Sequence, residues 1–140
     1  MLPSLPLFVT LLACATGHPT ATLTVKGQQI TAELVANDSD RARGLMERES
    51  MAADHGMLFA YPDEKVRGFW MKNTWIPLSI AFADDEGVIV RIADMQPHDL
   101  TRTSSLYPAM YALEMNQGWF AEHGVAKGDR IEGIPDIDAK

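Results

Sequence analysis

The chain has 140 residues, of which 46% are apolar and 22% are charged, and its net charge is −7. These values are typical of one globular domain and disfavour a disordered or low-complexity chain. The basic residues are scattered among acidic ones and form no stripe, so we expect no nucleic-acid partner. An anionic membrane surface is disfavoured for the same reason.

The first 20 residues resemble a secretion signal. They contain no Asp, Glu, Lys or Arg, and their apolar stretch from Leu5 to Ala15 is too short to cross a bilayer but fits the hydrophobic region of a signal peptide. We therefore expect residues 1–20 to be a signal peptide or lipoprotein leader plus a linker. We expect residues 21–134 to form a single domain and residues 135–140 to form a loose C-terminal tail.

Cys14 leaves two outcomes of export open. Residues 11–14 read Leu-Leu-Ala-Cys and resemble a bacterial lipobox, whereas Ala13, Cys14 and Ala15 also satisfy ordinary signal cleavage. The mature protein is then either a membrane-anchored lipoprotein, lipidated at Cys14, or a soluble periplasmic protein. Because Cys14 is the only cysteine, the domain itself has no disulfide and no thiolate metal site.

The first half of the domain alternates between strand and helix signals. Apolar and polar residues alternate on both sides of Gly27, which predicts a hairpin with strands near residues 21–26 and 29–36. Asn37 then begins a capping sequence, and apolar residues at helical spacing predict a short helix near residues 39–48, although Gly44 weakens it.

Further strands are predicted along the middle of the chain. Residues 56–61 form an apolar run closed by a Pro-Asp turn, and residues 66–72 read as its neighbour. Residues 78–82 and 88–92 alternate around an acidic turn that ends in Gly87, and they form the clearest hairpin.

The last third contains a long polar loop from residue 96 to residue 108. A strand near residues 111–115 follows, then a helix through residues 118–123 capped by Asn116, and a final strand over residues 128–132. Many short strands with two brief helices predict a mainly β (α+β) fold, as a compact antiparallel β-sandwich or a partly closed barrel.

The sequence GFWMKNTW at residues 68–75 is the first candidate binding site. In a strand, Trp70 and Lys72 share one face while Phe69 and Met71 share the other. If Trp70 and Lys72 face outward, they could stack a ligand ring and neutralise an anionic group, with the adjacent Asn73 orienting the ligand. Alternatively, Trp70 belongs to the core and Lys72 extends past it to a carboxylate.

Glu114 is a second candidate, because it interrupts an otherwise apolar strand. It is expected either to pair with a cation such as Lys72 or Arg43, or to point into a cleft. Arg43 is a further candidate for ligand contact, and so are His98 and Tyr107 in the long loop. His98 beside Asp99 could act as a general base, although adjacent residues on a surface loop often meet this way by chance.

Other chemistry has little support in the sequence. The histidines show no metal-ligand spacing, and no nucleophile elbow or phosphate-binding loop is present. We therefore expect no metal and no cofactor, and the sequence leans against an enzyme.

Several segments resemble the DUF192 (UPF0127) family of small bacterial and archaeal proteins. They are RARGLMERESM at 41–51, GMLFAYPDE at 56–64, FWMKNTWIPLSIAF at 69–82, YPAMYALEMNQGW at 107–119 and GVAKGDRI at 124–131. The resemblance implies a jelly-roll-like β-rich fold, often behind a leader, and it implies no activity, cofactor or catalytic residue. The family often has Asp where Ser79 stands here, so a mechanism that needs a carboxylate at that point is in doubt.

These observations leave three hypotheses for function. The first is an exported, non-catalytic envelope module that binds a small molecule, a glycan fragment or a partner protein. The second is an unrecognised hydrolase or lyase acting on envelope carbohydrate, with Glu114 or His98 as acid or base and Lys72 as electrostatic stabiliser. The third is a structural lipoprotein domain with no ligand, whose contact with a membrane would be made only through lipid on Cys14.

Overall fold

β-Strands are the main regular secondary structure of the domain, in a computed structural model that describes residues 17–140. The elements in chain order are β1 (Thr20–Val25), β2 (Gln28–Val35), α1 (Asp38–Arg43), β3 (His55–Lys65), β4 (Gly68–Phe69), β5 (Leu78–Ala83), β6 (Ile89–Met95), β7 (Thr103–Ser104), β8 (Ala109–Asn116), α2 (Trp119–Glu122) and β9 (Ile131–Glu132). Seven strands form one sheet in the order β6-β5-β8-β3-β2-β1-β9, and β4 pairs with β7 in a separate ribbon.

The large sheet curls until its two edges meet. An antiparallel bridge between Val88 and Arg130 joins the residues that precede β6 and β9, the two edge strands. The amide of Ile131 also donates to the carbonyl of Gly87 at 2.8 Å. A sheet closed in this way protects its edge strands from pairing with other chains, and the predicted mainly β fold with a partly closed barrel and two short helices is confirmed.

One strand pair departs from the expected antiparallel arrangement. β2 and β3 are parallel, whereas all other pairs are antiparallel. Parallel neighbours need a long crossover connection, because the chain must return to the same end of the sheet. Residues 36–54, including α1, provide that crossover, and they place α1 against the outside of the barrel.

Side chains on the two faces of the sheet form two separate hydrophobic cores. The inner core fills the barrel and includes Leu23, Leu58, Leu113, Trp119, Phe120 and Ile131. The outer core includes Leu45, Met57, Phe59, Phe69, Met71, Leu78, Ile80 and Phe82. Because both faces are covered by apolar contacts, β5 is buried along its whole length, and its sequence reads as a nearly continuous apolar run.

A two-stranded segment covers the outer core, and we call residues 66–72 and 99–106 the cover ribbon. Gly68 lies opposite Ser104 and Phe69 opposite Thr103, and the amide of Met71 donates to the carbonyl of Asp99 at 2.8 Å. Phe69 and Met71 point inward and are buried. The predicted strand over residues 66–72 was too long, since only Gly68–Phe69 pairs as a strand.

Both helices are shorter than expected. Asn37 caps α1 as predicted, with its side-chain oxygen accepting from the amide of Asp40 at 2.9 Å, but the helix ends at Gly44. Gly44 has φ 47° and ψ −129°, a backbone conformation that residues other than glycine rarely adopt. The prediction that Asn116 caps the second helix was wrong, because Asn116 ends β8 and Gly118 stands at the N-cap.

The two ends of the chain differ in what can be described. Cys14 and most of the expected leader lie outside the described residues, so the lipidation hypothesis stays a prediction. At the other end, Ile137 packs against the inner core, and the amide of Lys140 donates to the carbonyl of Ala36 at 2.9 Å, so the residues expected to form a loose tail are docked. No helix within residues 17–140 is long and apolar enough to cross a membrane.

Candidate functional site

A cleft of about 330 Å³ lies between α1 and the cover ribbon, above the outer face of the sheet. Five buried side chains of the outer core line it: Leu45, Phe59, Phe69, Met71 and Leu78. The polar and charged side chains that line it are Asp38, Arg41, Arg43, Tyr61, Thr74, Arg102 and Glu114. The cleft therefore has apolar walls, one deeply placed carboxyl group and several cations.

Glu114 forms the floor of this cleft. It lies on β8 directly between Met57 on β3 and Ile80 on β5, so both of its sheet neighbours are apolar. Only 4% of the residue is exposed. Within residues 17–140 its carboxyl group has no hydrogen bond and no ion pair, yet its oxygens are not sealed off from the cleft.

The ionisation of Glu114 follows from that environment. Burial disfavours the charged carboxylate and raises the pKa of Glu114 from 4.5 to about 8. No opposing cation offsets this effect. At neutral pH the side chain is therefore mainly a neutral carboxylic acid, which can donate one hydrogen bond as well as accept others.

Arg41 supports one wall of the cleft through three hydrogen bonds within the protein. Its guanidinium donates to the carbonyl of Ala60 at 2.8 Å, to the carboxylate of Asp38 at 2.8 Å and to the carbonyl of Lys140 at 2.5 Å. The side chain is 8% exposed and lies 4.6 Å from the ring centre of Tyr61. Arg41 thus fixes α1 against β3 and the C-terminus.

Tyr61 shares this wall and stacks between two cations. The guanidinium of Arg67 lies 3.8 Å from its ring centre, in addition to Arg41. Burial raises the pKa of Tyr61, and the two arginines act in the opposite direction. The Tyr61 hydroxyl is therefore a neutral group in the lining of the cleft that Glu114 also lines.

The mouth of the cleft carries two exposed cations, Arg43 and Arg102. Arg43 is 65% exposed and lies 3.5 Å from the carboxylate of Glu47, a surface contact of small energetic value. Arg102 has no ion pair among the described residues, and its guanidinium lies 5.1 Å from the ring centre of Trp70. Both cations line the cleft beside its apolar walls.

Trp70 adopts the outward orientation that the sequence left open. It is 37% exposed and lines the cleft, while its neighbours Phe69 and Met71 enter the core. The ammonium of Lys72 lies 5.3 Å from the Trp70 ring centre but is not part of the cleft lining. Two cations therefore lie close to the Trp70 ring: Arg102, which lines the cleft, and Lys72, which does not.

The other candidates do not join this site. Asn73 adopts a left-handed conformation with φ 51°, and its carbonyl accepts from the amide of Glu47 at 2.8 Å. His98 is exposed and its amide donates to the carbonyl of Thr74 at 3.2 Å. Tyr107 is 47% exposed and packs against Lys127, whose ammonium lies 4.4 Å from its ring centre.

The predicted set of site residues is thus divided by the structure. Trp70, Arg43 and Glu114 line one cleft, whereas Lys72, Asn73, His98 and Tyr107 lie outside its lining. The expected ion pair of Glu114 with Lys72 or Arg43 is absent from the described residues, and the alternative that Glu114 points into a cleft is the one observed.

Arg102 and Tyr61 are among the cleft residues that the sequence did not single out. Arg102 reaches Trp70 only because β4 pairs with β7, a contact between residues more than thirty positions apart that no local pattern reveals. Tyr61 ends the apolar run of β3 and was read as part of the strand, although its polar group could have marked it.

Ser79, where the family often has Asp, is part of the scaffold. Its hydroxyl donates to the carboxylate of Asp94 at 2.6 Å and accepts from the amide of Gly118 at 3.0 Å. The residue is 2% exposed. Ser79 therefore links β5, β6 and the start of α2, and it does not line the cleft.

A second cavity shares no lining residue with the cleft. The cavity has a volume of about 350 Å³ and lies beside the turn before β6 and the chain after β9, lined by Tyr111 and Arg130 among others. In the part of the chain that the structure describes, no three His, Cys, Asp or Glu side chains converge as metal ligands.

The fold and the cleft define a small, partly closed β-barrel protein with one lateral site roofed by a two-stranded ribbon. Residues 21–133 match the family model DUF192, described as an uncharacterized ACR, and the chain belongs to that family. The family resemblance seen in the sequence is thereby confirmed.

Two solved structures are similar to this chain. One is a protein from Sinorhizobium meliloti 1021, provisionally described as a transcription regulator, with a TM-score of 0.80 and 37% identity over 85% of this chain and 97% of that chain. The other is a protein of unknown function from Novosphingobium aromaticivorans DSM 12444, with a TM-score of 0.78 and 32% identity over 86% of this chain and 89% of that chain. No match was found among curated proteins.

Proposed function

We propose that this protein is a non-catalytic module that binds a small organic ligand in the cleft between α1 and the cover ribbon. We also propose that it works in the cell envelope as an exported protein, on the basis of the leader-like residues 1–20. The observation that carries the binding proposal is the Glu114 carboxyl group, which is buried at the floor of a cleft and has no hydrogen-bond or ion-pair partner within residues 17–140.

The energetics of Glu114 favour a ligand over a structural role. Burial of the Glu114 carboxyl group carries a desolvation cost, seen in its raised pKa, and an apolar side chain between Met57 and Ile80 would avoid that cost. A ligand atom that exchanges a hydrogen bond with Glu114 would recover it. Groups of this kind, poised in an apolar cavity, are typical of binding and active sites.

The walls suit the body of a small molecule. Phe69, Met71 and Leu45 offer apolar surface on opposite sides of the cleft, and Trp70 adds a flat, partly exposed ring at its mouth. A ligand that buries its ring or chain here gains roughly 25 cal/mol for each Å² of apolar surface removed from water.

An enzyme acting on envelope carbohydrate is a second candidate, supported by the raised pKa of Glu114, which suits a general acid. It is the weaker candidate, because glycoside hydrolysis normally needs two carboxyl groups facing one bond. The other acidic side chain of the lining, Asp38, is fully exposed and paired with Arg41. His98, the alternative base, lies outside the cleft lining.

We do not propose that this chain regulates transcription, although the Sinorhizobium meliloti protein is provisionally described as a transcription regulator. A net charge of −7 and scattered basic residues do not suit a DNA backbone. A structural domain without a ligand is the outcome that a failed binding test would favour.

A fragment titration followed by NMR tests the proposal. We expect ring-containing fragments to shift the backbone amides of Gly44 and Gly68 and the indole of Trp70, which all border the cleft. The indole of Trp75 is the matched control, because it is 45% exposed but outside the lining. If shifts occur at both indoles alike or at neither, the cleft is not a binding site. Hydrolysis of a carbohydrate substrate, lost in Glu114→Gln, would instead support the enzyme.

A further inference from the structure

We propose, resting on the binding function above, that the ligand is a small organic anion: an apolar ring that carries a carboxylate or a phosphate monoester. The anionic group lies between the mouth and the floor of the cleft, where its oxygens accept hydrogen bonds from Arg102 and Arg43 on one side and from the Glu114 carboxyl group on the other. Three features carry this inference: the charge of the lining, the state of the floor and the position of Trp70.

The lining is positive although the protein as a whole is negative. Asp38 and Arg41 neutralise each other through an ion pair at 2.8 Å. Arg43 and Arg102 remain, and Arg102 has no carboxylate partner among the described residues. Arg43 has only its exposed contact with Glu47 at 3.5 Å, which a ligand can replace at small cost. On a chain of net charge −7, a cleft with these two guanidinium groups selects an anion, since arginine binds carboxylate and phosphate through paired hydrogen bonds.

The floor does not cancel this positive charge. Glu114 is flanked in the sheet by Met57 and Ile80. The titratable and charged groups that face it are Tyr61 from β3, Asp38, Arg41 and Arg43 from α1, Arg102 from the cover ribbon and, one strand farther along the same face, Glu33 with its partner Arg48. None of them forms an ion pair with Glu114, so burial keeps the carboxyl group neutral and able to donate.

A cationic ligand fits this arrangement poorly. It would have to pass Arg43 and Arg102 at the mouth, and it would gain an ion pair only after Glu114 released its proton. An anion meets complementary charge at the mouth and a hydrogen-bond donor at the floor. The ring of the anion can pack against the apolar walls beside Trp70. The guanidinium of Arg102 lies 5.1 Å from the Trp70 ring centre.

Four probes that share one phenyl ring test the charge of the ligand: benzoate, phenyl phosphate, benzyl alcohol and benzylammonium. We expect benzoate or phenyl phosphate to bind at about pH 6.5 at least ten-fold more tightly than the other two in calorimetry, with shifts at Gly44 and Gly68. The first two probes also distinguish a carboxylate ligand from a phosphate ligand, by which of them binds more tightly.

The role of Glu114 is tested by pH with benzoate, whose own charge is constant above about pH 6. We expect benzoate affinity to fall roughly ten-fold or more between about pH 6.5 and pH 9.5, as Glu114 loses its proton. Glu114→Gln keeps a donor at every pH, so its benzoate affinity should be independent of pH. A pH dependence that persists unchanged in Glu114→Gln overturns the assignment of Glu114 as donor.

Arg102 and Lys72 form a matched pair, because both lie over Trp70 and only Arg102 lines the cleft. Arg102→Gln should weaken benzoate binding about ten-fold and Lys72→Gln less than two-fold. Equal losses would show a general charge effect and overturn the Arg102 assignment. Preferential binding of benzyl alcohol or benzylammonium in the cleft overturns the anion inference but supports the binding function. If none of the four probes shifts Gly44 or Gly68, both proposals fail.

Discussion

Glu33 and Glu114 lie in one row across the outer face of the sheet, on either side of Met57. Glu33 receives two hydrogen bonds from the guanidinium of Arg48, at 2.5 and 3.1 Å. Glu114 faces the same side of the sheet and has no partner among the described residues. The fold thus supplies a cation to one carboxylate of the row and leaves the other facing the cleft, and this difference makes Glu114 the centre of the site.

The stability of the protein should depend on pH through Glu114. Its pKa is raised to about 8 in the folded protein, from 4.5. The folded state therefore binds more protons than the unfolded state between these values, and the free energy of unfolding should fall as pH rises from about 4.5 to about 8. The slope is about 1.4 kcal/mol per pH unit from this one group.

The matched variant is Glu114→Gln, which cannot ionise. Urea denaturation of both proteins at about pH 5, 7 and 9 should show a growing advantage of Glu114→Gln, reaching roughly 3 to 5 kcal/mol above pH 8. Parallel pH dependences in the two proteins would mean that Glu114 is not a buried neutral acid.

Trp70→Ala should affect binding more than stability. Trp70 is 37% exposed and its inner neighbours Phe69 and Met71 keep the outer core intact, so we expect the melting temperature to change by only a few degrees. Benzoate binding should weaken about ten-fold, because the ring wall of the cleft is lost. Trp75→Ala, at 45% exposure outside the cleft, is the control and should leave binding unchanged. A large loss of melting temperature in Trp70→Ala alone would assign Trp70 to the core.

Ser79→Ala should destabilise the protein without altering the cleft. The change removes a buried hydroxyl that bridges Asp94 and the amide of Gly118, which should cost about 1 to 2 kcal/mol in urea denaturation. Benzoate affinity should stay the same, because Ser79 is not part of the cleft lining. Loss of binding at unchanged stability would give Ser79 a functional role that its contacts do not indicate.

The sequence predicted strands well wherever alternation and turn chemistry are local. The β5–β6 hairpin follows from apolar alternation and the Asp84–Gly87 turn, in which Asp84 accepts from the amides of Glu86 and Val88. The parallel pairing of β2 with β3 could not be predicted this way. It depends on the path of residues 36–54 around the barrel, which no periodicity encodes.

The site was predictable only in part, for a related reason. Glu114 is visible as a charge within an apolar strand, and Trp70 as an aromatic whose neighbours alternate inward. Their meeting with Arg102 depends on the pairing of β4 with β7, which contributes only two residues from each strand. Lys72 is close to Trp70 in sequence and its ammonium lies 5.3 Å from the Trp70 ring centre, but its side chain stays outside the cleft lining.

Gly44 should be required for both the end of α1 and the shape of the cleft. Its φ of 47° with ψ of −129° is strained for any other residue, and a Cβ atom would lie 3.3 Å from the Phe59 ring that lines the cleft. Gly44→Ala should therefore cost about 2 kcal/mol or more in unfolding free energy and weaken benzoate binding. Gly124→Ala is the matched control, since Gly124 also has a positive φ, 66°, but nothing lies within 4 Å of its added Cβ. Gly124→Ala should lower the free energy of unfolding by only about 1 kcal/mol and leave benzoate affinity intact. Equal losses in both variants would show that backbone strain alone, and not the contact with Phe59, explains the glycine at position 44.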